Sequence, residues 1–208
     1  PAKLAAMEGL WDKEQAPMPF NLIAFPSQQD ETNHGAVQVP AVLSLLVTHS
    51  LDGTVPSIKE IQAKNEERIR SGIVAARALR VLQSNPQDAQ AQADFTAHKA
   101  DLGFGFLVQR YSPELQDVTD AQIQQAVKDS IPPVAPIFWS FRIMVLFGMG
   151  MLAYFVLAMI FSIRNNIEKQ TWLLKIAPWM IPVPFLACEA GWLVAELGRQ
   201  PWTLYEVL

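Results

Sequence analysis

The chain has 208 residues, half of them apolar, with 16 Lys or Arg against 20 Asp or Glu and a formal net charge of −4. That balance supplies no basic patch, which excludes nucleic acid as a partner. Cys188 is the one cysteine, so an intrachain disulfide and a cysteine-based zinc site are excluded; its apolar neighbours predict a buried, inert thiol.

The average hides two unlike halves. Residues 1–135 carry 11 basic and 16 acidic residues, whereas residues 136–208 carry five and four, with five of the six tryptophans. The first half reads as ordinary soluble surface. The chain has neither an initiator Met nor a signal peptide and reads as an internal fragment of a longer protein.

Residues 1–56 show no sustained period and carry turn signals at Pro17, Pro19, Pro26, Asp52-Gly53 and Pro56, so loop with short helical pieces is expected there. From Ser57 the pattern changes. Ser57 and Glu60 form a capping box, and Ile58, Ile61, Ile69, Ile73, Ala76 and Val81 fall near helical spacing, which predicts an amphipathic helix over about 57–82. A weaker helix is expected over about 88–100, and a third over about 119–130, opened by a box of Thr119 and Gln122.

The "IPPVAP" run at 131–136 closes this part, because paired prolines suit a helix start. From Ile143 to Ile163 there are 21 residues without a charge, close to the ~20 that span a bilayer, so residues 136–163 are expected to form a transmembrane helix. A linker at 164–171 leads to a second span over 172–197, interrupted by Pro178, Pro182 and Pro184, which argues for burial in a bundle. Arg164, Lys169 and Lys175 put the linker in the cytoplasm by the positive-inside rule. Residues 1–135 and 198–208 then lie on the periplasmic side. The expected class is all-α: a two-helix transmembrane hairpin from a membrane bundle, with a mostly helical extramembrane loop domain.

Arg142, Glu189 and Glu196 lie at or inside the apolar stretches, where a charge is costly unless paired or bound. Arg142 is close enough to the outer end to snorkel. Glu189 and Glu196 are seven apart and share a helix face, so they should face a bundle interior, a proton route or a metal. Met144 follows Arg142 by two, and a thioether can be an axial haem ligand; on spacing alone core filler is the usual reading and a ligand the weaker one. Lys3 and Glu8 by themselves read as solvated surface. These residues leave three functions open: a redox protein, a membrane-anchored periplasmic binding or sensor module, and a proton-coupled transporter with Glu189 and Glu196 as its relay.

Several stretches together resemble subunit I of cytochrome bd ubiquinol oxidase: "PAKLAAMEGLW", "DETNHGAVQVP", "EERIRSG", "QIQQAVKDSIPPVAP", "FRIMV", "EAGWLVAELGRQPW" and "YEVL". The resemblance covers the whole chain, and "FRIM" followed by "GRQPW" is its specific part. It implies a quinol:oxygen oxidoreductase of the respiratory chain in the bacterial inner membrane, generating a proton motive force without pumping. It implies a low-spin haem b, a high-spin haem b and haem d, with subunit II, a small accessory subunit and membrane lipid as partners. By the same resemblance Lys3 and Glu8 serve quinol oxidation, Met144 ligates the low-spin haem b iron and Glu196 the high-spin haem b iron. Arg142 and Arg199 are implied as partners of haem propionates or neighbouring charges, and Glu189 and Trp192 as lining of the haem cluster. The family's His ligands belong to helices outside this sequence.

Overall fold

The computed structural model describes residues 1–202, so the "YEVL" stretch and most of the 198–208 segment lie outside the described residues. The chain is mostly helical, with one small sheet. Helix α1 (Ala2–Glu8) stops at Gly9, whose left-handed backbone (φ 62°) closes the last turn, and Leu10 N–H donates back to Ala5 O at 2.9 Å. A side chain at Gly9 would be strained by that φ and would also strike Asn33 Oδ1, 2.9 Å from an ideal Cβ.

Residues 20–39, expected as loop, form an antiparallel hairpin of β1 (Phe20–Ser27) and β2 (Thr32–Val39). Phe20, Ile23, Phe25, Val37 and Val39 have the side chains that favour strands. The signal was hidden because register irregularities between Asn21 and Phe25 break the alternation, Pro26 sits in β1, and the turn lacks an Asn-Gly pair. The short α2 (Val42–Thr48) follows β2 after two residues.

Helix α3 (Ile58–Ser84) begins at the Ser57–Glu60 capping box, with both reciprocal bonds present. Asp88 caps α4 (Ala89–His98), and α5 (Leu102–Val108) occupies a stretch that its two glycines had masked. The masking has a physical cause: α5 crosses α3 where Gly72 meets Gly105, and a Cβ on Gly72 would lie 2.4 Å from Gly105 N. Helix α6 (Asp120–Asp129) starts at the Thr119–Gln122 box. Ile69, Ile73 and Ala76 of α3 share a core with Phe104, Leu107 and Val108 of α5 and Ile123, Ala126 and Val127 of α6.

Helix α7 (Val134–Ile163) enters through the proline pair. Its first turns are inside the protein, with Val134, Ile137 and Phe138 fully buried among Ala5, Ala6, Leu10 and Trp11. From Ile143 onward most of the large apolar side chains, Leu146, Leu152 and Phe155 among them, are exposed. Twenty-one residues at ~1.5 Å each give about 31 Å, the thickness of a hydrocarbon core.

The second expected span is broken. Helix α8 (Thr171–Ile176) passes through a 3₁₀ turn at Ala177–Met180 to α9 (Val183–Leu197), with a 44° bend between the two parts. Pro182 and Pro184 sit at the start of α9, where a missing N–H breaks no helical bond. Among the described residues α7 alone is long and apolar enough to cross a membrane; α8 and α9 qualify only as one bent span. The two run antiparallel, with Met144 against Gly191 and the Tyr154 hydroxyl donating to Leu173 O at 3.4 Å. Cys188, expected to be buried, is exposed, because the face of α9 that carries it is not covered by the described residues.

Candidate functional site

Helix α1 joins the soluble part to the membrane hairpin, and its two charged residues diverge. Five residues along a helix is a rotation of roughly 140°, so Lys3 and Glu8 face different partners. Glu8 turns inward and is 2% exposed. Its Oε2 accepts from Arg142 Nη2 of α7 at 3.0 Å.

The Arg142 guanidinium is nearly saturated. It donates to Asn21 O through Nε at 3.2 Å and again through Nη2, and to Met7 O through Nη1. Its plane lies 3.5 Å from the Phe138 ring centroid, a cation–π contact in a desolvated setting. Asn21, 1% exposed, fixes the other side: its Nδ2 donates to Glu8 O at 2.7 Å, and Gln38 Nε2 donates to its Oδ1 at 2.9 Å. Arg142 does not snorkel; it ties together α1, β1 and α7.

Burial dominates the ionisation of Glu8, raising its pKa from 4.5 to about 7, while the Arg142 charge and hydrogen bond pull the other way without cancelling it. A carboxyl poised there takes up or gives up a proton at neutral pH.

Lys3 lies over the C-terminus of α9. Its Cγ would be 2.7 Å from a Cβ on Gly198, so the glycine of "GRQPW" is what lets the lysine stem lie flat. Lys3, Glu196 and Arg199 line one cleft of about 450 Å³. Arg199 Nη2 reaches both carboxylate oxygens of Glu196 at 2.5 Å, in the i,i+3 spacing of one turn. Beyond Arg199, Trp202 packs into the helical core against Phe104, ring centroids 4.7 Å apart. The end of the membrane hairpin is thereby pinned to the α3–α5–α6 unit.

Met144 lies two residues beyond Arg142 and about one helical turn below Phe141, half-buried, its Sδ 3.1 Å from where a Cβ on Gly191 would stand. Gly148, four residues on and on the same face, has nothing within 4 Å of an ideal Cβ. Glu189 and Trp192 are exposed on α9, Trp192 at 59%. The described residues hold no group of three or more His, Cys, Asp or Glu side chains suited to an ion.

This donor set fits haem. The Met144 thioether, beside bare glycine backbone, is a donor of the kind that binds haem iron axially, whereas the Glu196 carboxylate would have to exchange its Arg199 contact for iron. The open faces of α7 and α9 leave room for a large planar group. Asn21 is the residue that sequence reasoning missed; its one signal was a lone amide in the apolar run "FNLIAF".

Fold and site together define a mostly helical protein with an apolar helix long enough to cross a membrane, tied to the preceding part of the chain by a buried charge pair. The comparisons sharpen that class. The family model of cytochrome bd terminal oxidase subunit I matches residues 1–208, and the chain belongs to that family. It is 42% identical over its full length to cytochrome bd-II ubiquinol oxidase subunit 1 of Escherichia coli K12, covering 40% of that protein. It is 28% identical over 204 residues to cytochrome bd ubiquinol oxidase subunit 1 of Bacillus subtilis 168, covering 32% of it. The chain thus spans well under half the length of these curated relatives.

Proposed function

We propose that this chain forms the quinol-oxidising face and part of the haem-binding wall of a respiratory terminal oxidase in the bacterial inner membrane. In this reading quinol is oxidised on the periplasmic side, where residues 1–135 lie, and oxygen is reduced to water with protons drawn from the cytoplasm. A proton motive force arises from that separation without pumping. The observation that carries the reading is Glu8: a carboxyl buried to 2% exposure, with a pKa raised to about 7, and bonded through Arg142 to the helix that carries Met144.

A quinol must lose two protons as it is oxidised, and a positioned base with a pKa near the working pH is the efficient acceptor. Glu8 takes that role, and Lys3 stands at the neighbouring cleft. Arg142 holds the Glu8 carboxylate after a proton has left it, and Asn21 keeps the three elements in register. Met144 would hold the iron of a low-spin haem b and Glu196 that of a high-spin haem b, with Arg142, Arg199, Glu189 and Trp192 around the cofactors. The haems, haem d included, supply electron transfer and oxygen reduction when bound. Subunit II and a small accessory subunit complete the enzyme. No feature of the site favours a sensor module or a transporter.

The test is the pH–rate profile of quinol oxidation by the full-length oxidase carrying Glu8→Gln. The reading requires a large loss of kcat and disappearance of the limb near neutral pH. A wild-type profile would remove Glu8 from the reaction.

A further inference from the structure

We infer that the open end of the β1–β2 hairpin and helix α2 dip into the outer lipid interface and anchor the loop domain to the bilayer surface. The inference rests on the membrane-spanning reading of α7.

Strand β1 lies along the first turns of α7, and three contacts fix its height. Gln28 Oε1 accepts from Val134 N–H at 3.0 Å, the Phe25 ring lies 5.6 Å from that of Trp139, and Asn21 O accepts from Arg142. Strand and helix therefore run in opposite directions. The hairpin turn at Asp30 and Glu31 points away from the membrane, and the Phe20–Val39 end lies level with Arg142, one residue above the uncharged run that starts at Ile143.

That end has the wrong chemistry for water. Leu22, Ile23, Val37, Val39, Leu45 and Leu46 are between 38% and 61% exposed. Residues 15–29 and 35–51 contain no Asp, Glu, Lys or Arg, so the charges of the hairpin are confined to its distal turn. A cluster of large exposed apolar side chains on a soluble surface marks a contact surface. Here its strand β1 lies on the first turns of α7, level with the start of the uncharged run, and α2 follows β2 after two residues. Lipid is the occupant that this height selects. Depth is bounded by the backbone: two-stranded edges leave N–H and C=O groups that hydrocarbon cannot satisfy, so the element stops among the headgroups and upper acyl chains.

The experiment uses the full oxidase in lipid nanodiscs, with one nitroxide at Leu46 in a background free of other reactive thiols, Cys188→Ser included. Collision rates are compared for oxygen, which partitions into lipid, and for a water-soluble nickel chelate. The expected ratio of oxygen to chelate collisions is several-fold higher at Leu46 than at Thr32 near the hairpin turn, and a label at Leu45 repeats the result should the first variant fail to assemble. Equal chelate access at Leu46 and Thr32 places the patch in water and overturns the inference. Exclusion of both colliders means that protein covers it and overturns the inference equally. A label at Leu152 separates the failures, because chelate access there would sink the membrane-spanning reading of α7 itself.

Discussion

Glu8 and Arg142 stand 134 positions apart in sequence and 3.0 Å apart in space, each almost removed from solvent. The pair joins α1, the first helix of the chain, to α7, the helix long and apolar enough to cross a membrane. Removing Arg142 leaves Glu8 and the Asn21 and Met7 carbonyls without their donor, and Glu8 then keeps its proton rather than standing as a bare charge. Arg142→Ala should therefore destabilise the oxidase by about 1–3 kcal/mol, the cost of buried acceptors left unmade, read as a fall in the thermal midpoint of the detergent-solubilised enzyme. Arg142→Lys should recover only part of this, since one ammonium cannot serve Glu8, Asn21 and Met7 at once.

The same pair gives stability a defined pH dependence. The pKa of Glu8 is raised in the fold to about 7 from 4.5, with burial as the leading cause. Below 4.5 the group is protonated in both folded and unfolded chains, and its preference for the proton favours the fold in full. As pH rises through 7 the folded state must carry the buried carboxylate, and that contribution is lost. Thermal midpoints measured from pH 5 to 8.5 should fall along this limb in the wild type, and Glu8→Gln should flatten it.

Turnover should follow the same group. In the proposed oxidase Glu8→Gln retains a hydrogen-bonding side chain of similar shape but cannot take a proton, so kcat for quinol oxidation should drop by roughly 10²-fold or more. The KM for quinol should change much less. Steady-state oxygen uptake with a soluble quinol provides both numbers.

The α3–α5 crossing makes a prediction independent of function. A Cβ on Gly72 would stand 2.2 Å from Asp101 O and 2.4 Å from Gly105 N, both backbone atoms. Gly72→Ala should force the helices apart at a cost of about 1–3 kcal/mol, despite the better helix propensity of alanine. Thermal unfolding of the variant oxidase checks the sign.

Where local chemistry sets the structure, the sequence was readable. The two capping boxes open α3 and α6 at Ser57 and Thr119, and the uncharged run from Ile143 marks the long exposed part of α7. What stayed hidden depends on contacts between distant residues. The β1–β2 hairpin is irregular in register and stabilised from outside by Arg142 and Trp139, so no period announces it. Lys3 and Glu8 looked like a trivial surface pair because nothing in a seven-residue helix says that one side chain will meet α7 and the other α9. Asn21 carried almost no signal, yet it holds Glu8, Gln38 and Arg142 together.

The central proposal is that the sulfur of Met144, beside the bare backbone of Gly148 and Gly191, would hold a haem. Leucine has nearly the same volume, so Met144→Leu should cost less than about 1.5 kcal/mol and leave the protein assembled. The most direct measurement is the reduced-minus-oxidised visible spectrum of this variant in the full-length oxidase. The account predicts selective loss or displacement of the low-spin haem b band with the remaining haem bands in place; a spectrum identical to the wild type would contradict it.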